Sequence, residues 1–131
     1  MKPSAHAPLA LGIAVFVAGI ACGGGGDSSG PPTSGRKTVL VVNNAFQPAT
    51  VTISAGDTVL WSWGTSPQSI DHNILSYGAA AFTSDGSLAQ TFDAPHSYQV
   101  IFPAAGTYTY YCSTHGTTAP SGMAGSVVVN P

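Results

Sequence analysis

The segment Tyr110-Tyr111-Cys112-Ser113-Thr114-His115 is followed by Met123-Ala124-Gly125, and His72-Asn73-Ile74 lies upstream. Together these residues offer one thiolate, two imidazoles and one thioether. A soft thiolate with two imidazoles selects copper, and a weak, long axial thioether tunes the redox potential of such an ion. The chemistry implied is electron transfer at a mononuclear type 1 copper centre. Taken singly, each residue has a blander explanation, since a buried methionine usually fills core space and a lone histidine is more often hydrogen-bonded than metal-bound. Their joint occurrence, on stretches that read as strand and strand-end loop, favours the metal. Zinc is the main rival, but it prefers four firm ligands, and neither a second cysteine nor a third nearby histidine follows Cys112. His96, behind Pro95 at the start of a strand-like run, is the weaker alternative ligand.

Holding such ligands requires strands, and the sequence alternates accordingly. Val51 and Ile53 alternate with Thr and Ser over residues 50–54, and Val59, Trp61 and Trp63 do so over 58–63. These read as half-buried strands joined at Ala55-Gly56-Asp57. A further run at 97–102 puts Tyr98, Val100 and Phe102 on one face, and 103–106 turns the chain into a strand over 107–112. There the period of two places Tyr108, Tyr110 and Cys112 together, which aims the Cys112 sulfur inward and leaves His115 beyond the strand end. His72 is expected to begin a strand. Val39 to Val42 and Val127 to Val129 supply two more strands, while Tyr77 to Gln90 is expected to be irregular or to contain a short helical turn. Seven or eight short strands predict an all-β Greek-key sandwich or barrel.

The residues Ala45-Phe46-Gln47-Pro48, Val51-Thr52-Ile53 and Ala55-Gly56-Asp57-Thr58-Val59-Leu60-Trp61 carry a resemblance. Pro103-Ala104-Ala105-Gly106-Thr107-Tyr108-Thr109-Tyr110-Tyr111-Cys112, His115-Gly116 and Met123-Ala124-Gly125 carry it more specifically. The chain resembles the cupredoxins, in particular the plastocyanin/azurin-like single-domain blue copper proteins, over about residues 37–131. The resemblance implies His72, Cys112, His115 and Met123 as copper ligands. It implies that Asn73 braces the ligand loop, its backbone N–H pointing at the cysteine sulfur and its side chain bonding to Ser113. Donor and acceptor proteins would dock around His115. Seven residues separate His115 from Met123, more than is usual in plastocyanin-type loops, so Met123 is the ligand that departs most from the pattern.

The rest of the chain reads as export and tethering. An apolar run from Leu9 to Ala21 follows Lys2 and His6, which suits a signal peptide over residues 1–21. Its end, Ala18-Gly19-Ile20-Ala21-Cys22, resembles a bacterial lipoprotein signal, with Cys22 the lipid-bearing residue. Residues 22–36, rich in Gly, Ser and Pro, have too few apolar side chains to fold and read as a tether to the 37–131 domain. A Cys22–Cys112 disulfide is the alternative use of the only two cysteines. The expected location is the bacterial periplasm or cell surface, an oxidising setting in which a lone thiol is best understood as a thiolate held by a metal.

Composition narrows the function. The roughly 95 residues of the 37–131 domain suffice for one core and not for the several domains of a multicopper oxidase or copper nitrite reductase. Charged residues make up 6% of the chain and the formal net charge is −2. That provides no nucleic-acid surface, and membrane contact is expected only through the N-terminal lipid. Asp57, Asp71, Asp85 and Asp93 are spread along the sequence, which predicts weak electrostatic steering. The expected protein is a monomeric, non-enzymatic carrier of single electrons between redox partners. Copper storage or delivery on the same fold is the alternative, although two methionines in the whole chain offer little to such a site.

Overall fold

The computed structural model describes residues 34–119 and 121–131. The expected signal segment, Cys22 and most of the tether lie outside the described residues. The strands are β1 (Arg36–Val42), β2 (Ala45–Gln47), β3 (Thr50–Ser54), β4 (Thr58–Ser62), β5 (Leu75–Tyr77), β6 (Ser97–Ile101), β7 (Gly106–Thr117) and β8 (Ser121–Asn130). They form two four-stranded sheets, ordered β2-β1-β4-β6 and β3-β8-β7-β5. From β2 to β7 each successive strand lies in the other sheet, so every connection passes over an end of the sandwich. The all-β expectation holds. The chain joins the fold at Arg36, which pairs with Thr58, one residue ahead of the expected domain start.

Alternation explains the layers. Val39 and Val41 of β1, Val51 and Ile53 of β3, Val59 and Trp61 of β4, Tyr110 and Cys112 of β7 and Val127 and Val129 of β8 all point inward and are buried. Trp61 is fully enclosed and packs on Phe82, Tyr98, Phe102 and Tyr110, with ring centroids 5.2–6.4 Å apart. Burying side chains of this size contributes on the order of 1.5–3 kcal/mol each. The short strand β2 was not anticipated. Asn44, at a φ of 57°, turns the chain so that Phe46 pairs with Val41 and enters the core.

Two local expectations need correction. Strand β7 does not stop at Cys112 but continues to Thr117, and β8 begins at Ser121, so His115 lies within a strand rather than beyond it. Nor does His72 begin a strand, because β5 starts at Leu75 and His72 is held by a single bridge to Phe92. Of the two forms expected for the segment that follows, the irregular one holds: residues 78–90 carry no helical turn and are fastened by the bridges Ile74–Asp85 and Ser87–Gln90.

The strand directions define two poles. Arg36, the β3–β4 turn and the β6–β7 turn share one end; the C-terminal ends of β1 and β4, His72, Cys112 and Met123 share the other. At the first pole, Asp57 accepts the backbone N–H groups of Ser54 (3.0 Å) and Gly35 (2.5 Å). These two bonds, aided by nearby Lys37, hold its carboxyl below the ordinary value of 3.8. The unfolded chain therefore binds the proton more tightly, and the contribution is complete above the ordinary value and lost as pH falls through the folded one. Asp57→Asn is expected to lower the urea midpoint of the metal-free protein at pH 7, with the deficit shrinking toward pH 3. Urea titrations at the two pH values check this, and a deficit independent of pH would contradict it.

Candidate metal centre

Four residues of β7 face one residue of β8. Tyr111 pairs with Ala124 and Gly116 with Gly122, so residues 112–115 bulge opposite Met123 alone. A bulge re-aims side chains out of strict alternation, and here it lets Cys112 and His115, three residues apart, turn toward one point. Beyond it, Gly116 and Thr117 pair with Gly122 and Ser121 as a small hairpin. Gly116, Thr117, Ser121 and Gly122 thereby close the chain back toward Met123, which reconciles the long spacing with a methionine at the site. Gly116 and Gly122 permit this closure: a Cβ on Gly116 would lie 2.3 Å from the Met123 carbonyl oxygen, and one on Gly122 2.3 Å from that of His115.

His72 arrives from the other side. Asp71, at a φ of 57°, redirects the chain; its N–H donates to Asp93 Oδ1 (2.9 Å) and its carboxylate accepts from Thr91 Oγ1 (3.3 Å). His72 then exchanges backbone hydrogen bonds with Phe92 (3.2 and 2.8 Å). Its ring is fully buried, as is Cys112, while His115 is partly exposed.

The donor atoms converge. Cys112 Sγ lies 3.7 Å from His72 Nδ1 and 3.7 Å from His115 Nδ1, and the two nitrogens are 3.1 Å apart. A triangle with these sides has its centre about 2.0 Å from each corner, the length of a metal–imidazole bond and slightly less than that of a metal–thiolate bond. The donors thus fit one ion. Burial lowers the His72 pKa, with the neighbouring His115 acting in the same sense against Asp71 and Asp93. The neutral imidazole is the form that ligates. Met123, also buried, packs in the same apolar cluster as Cys112.

Asn73 ties the two halves of the site together. Ser113 donates its backbone N–H to Asn73 Oδ1 (2.9 Å), and Asn73 Nδ2 donates to Ser113 Oγ (2.9 Å), as the resemblance implied. Nδ2 also lies within bonding distance of the carbonyls of Ser87 (2.7 Å) and Gln90 (3.0 Å), contacts that the sequence did not disclose. His96 does not join the donors. Its Nε2 is 2.7 Å from Asp85 Oδ2 and its ring stacks on Phe92. Cys112 is free and buried.

Two imidazoles, a thiolate and an adjacent thioether on a β-sandwich define a type 1 copper domain. Residues 41–130 match the family described as copper binding proteins, plastocyanin/azurin family, and the chain belongs to that family. It is 39% identical over 93 residues to the chloroplastic plastocyanin of Tetradesmus obliquus, covering 64% of this chain and 57% of that one. The chain thus spans little more than half of that relative's length. With the plastocyanin of Vicia faba it shares 33% identity over 90 residues, covering 66% and 88% of the two chains. Among solved structures, amicyanin from Paracoccus versutus superposes with a TM-score of 0.52 at 26% identity, covering 78% and 86%. A fern plastocyanin does so with 0.53 at 25%, covering 72% and 100%.

Proposed function

We propose that the domain carries single electrons between exported redox partners, with His72, Cys112, His115 and Met123 as the copper ligands. The observation that carries this is the convergence of three donor atoms on one point inside a braced pocket. Copper bound there supplies a Cu(I)/Cu(II) couple. The protein's part is to keep the ligands in place: the bulge holds Cys112 and His115, the Phe92 bridge holds His72, and Asn73 locks one loop to the other. Ligands held this way resist rearrangement when the charge of the ion changes, which favours electron exchange over release of the metal. The fern plastocyanin of similar fold is described in both oxidized and reduced states, in keeping with this reading. Voltammetry of the copper-loaded domain should show a reversible one-electron wave, and its absence would remove the carrier assignment.

His115, partly exposed where the other three residues are buried, is the natural exit for the electron. The copper pole also displays Ile70, 49% exposed and two residues before His72, and Leu88, 79% exposed in the turn bonded by Asn73. These larger apolar groups, with the exposed Ala119 four residues beyond His115, form the docking face. The fold further gathers charges that are dispersed in sequence, because Asp71 and Asp93 meet beside His72 whereas Arg36 and Lys37 lie at the opposite pole. Steering, expected to be weak from the sequence, is therefore confined to this pair. Leu88→Glu and Ala119→Glu should each slow transfer to a partner without altering the copper spectrum. Unchanged rates in both, measured by stopped flow, would place docking elsewhere.

The N-terminal sequence supports a lipid anchor at Cys22 and residence in the periplasm or at the cell surface. Since the chain enters the fold at the pole opposite the copper, a tether attached there leaves the docking face free. Native protein should sediment with membranes, and Cys22→Ser should release it or block its processing with the copper spectrum intact. A mature N-terminus without lipid, by mass spectrometry, would leave a soluble carrier.

A further inference from the structure

The segment 72–74 belongs to neither sheet and is only as steady as the loop beneath it. Two bridges hold it there: His72 pairs with Phe92, and Ile74 exchanges backbone hydrogen bonds with Asp85 (3.0 and 2.9 Å). Between these bridges Asn73 reaches the carbonyls of Ser87 and Gln90. Loop 85–92 is therefore the platform for His72 and for Asn73, which braces the stretch carrying Cys112 and His115. What fastens this platform to the sandwich decides where His72 stands.

One side chain grips both ends of it. His96 Nε2 lies 2.7 Å from Asp85 Oδ2 at the start of the platform, and the His96 ring stacks on Phe92 at its end, with centroids 4.1 Å apart and planes within 9°. An ionised carboxylate only accepts, so Nε2 carries the proton of this bond. The opposite side of the grip is the core: Trp63 meets the His96 ring edge-on at 4.6 Å and donates its backbone N–H to the His96 carbonyl (3.0 Å). Only 26% of the His96 side chain and 13% of that of Asp85 are exposed, so water competes weakly for the bond.

We propose that Asp85 and His96 are positioning residues for the copper centre, clamping platform 85–92 to Trp63 and thereby setting where His72 meets the metal. This role rests on the copper reading above but involves no contact between either residue and the ion. The histidine that the sequence offers as a weaker ligand thus acts at one remove, through Phe92 and Asp85.

The test uses copper-loaded protein. His96→Phe keeps an aromatic ring against Phe92 and Trp63 and loses the bond to Asp85; Asp85→Asn removes the charge; His96→Gln retains a donor for Asp85. Chelator competition should show Cu(II) binding weakened about tenfold in His96→Phe and Asp85→Asn, the lower end of what removing an outer support of a ligand costs. The copper hyperfine splitting in electron paramagnetic resonance should change with it, and His96→Gln should recover part of both. Asp57→Asn at the far pole is the control, expected to lose stability in urea with affinity and hyperfine splitting of wild type. If His96→Phe folds and binds copper like wild type, the clamp is wrong. The same holds if Asp57→Asn weakens binding equally, since the effect is then one of global stability. Should His96→Phe not fold, Asp85→Asn decides by the same readouts. A wild-type protein that forms no blue Cu(II) complex overturns the copper reading itself, whereas a blue wild type with unaffected variants overturns only the clamp.

Discussion

Replacing Cys112 with serine is expected to abolish the intense blue colour of the Cu(II)-loaded protein, leaving only the weak absorption of copper bound by nitrogen and oxygen. The colour of a type 1 site comes from charge transfer between thiolate sulfur and copper, and Cys112 is the sole thiol among the described residues. A serine hydroxyl in the same buried position stays protonated and is a poor partner for a soft ion. Affinity should fall by more than about 100-fold, since even removal of an outer partner of a ligand costs about 10–100-fold. Absorption spectra and chelator competition on both proteins check this. A wild-type Cu(II) complex without colour would sink the type 1 assignment, and a red or green one would keep the thiolate but not the geometry.

Gly116→Ala is expected to disturb the centre almost as much, although glycine contributes no donor. The added Cβ would sit 2.3 Å from the carbonyl oxygen and 2.8 Å from the carbonyl carbon of Met123, both backbone atoms that cannot swing aside. Either the hairpin opens or the β8 backbone shifts, and each moves Met123 away from Cys112 and His115. Overpacking of this kind costs about 1–3 kcal/mol, and weakening an axial donor disfavours Cu(II) more than Cu(I). The reduction potential should therefore rise, as it should in Met123→Leu, which removes the thioether while leaving the site blue. Potentiometry on both variants, with urea unfolding of the metal-free forms, tests this. If Gly116→Ala matches wild type in potential, colour and stability, the bulge does not hold Met123 at the site. If Met123→Leu alone is silent, Met123 is packing rather than a ligand.

The donor types were legible in sequence because a type 1 site is an unusual demand: a thiolate, imidazoles and a thioether on strand and strand-end segments have few other uses. The core was equally legible, since Val59, Trp61 and Trp63, and Tyr110 with Cys112, obey a period of two that a one-residue slip would ruin. His115 was the residue this logic misplaced. The alternation that aims Cys112 inward gives no warning that four residues of β7 will bulge against one of β8, because a bulge is specified by the partner strand and not by the strand that carries it.

The sequence by itself determined which residues could hold the metal and that they would hang on a β-sandwich, because donor chemistry and strand alternation are local properties. Tertiary structure alone decided how the long spacing to Met123 is absorbed, what His96 is for and where the charges gather. Each of these depends on contacts between distant segments: Gly116 against Met123, His96 between Asp85 and Trp63, and Asp71 beside Asp93 with 21 residues intervening. Such contacts are made by sheet register and loop packing, and neither has a signature within a run of neighbouring residues.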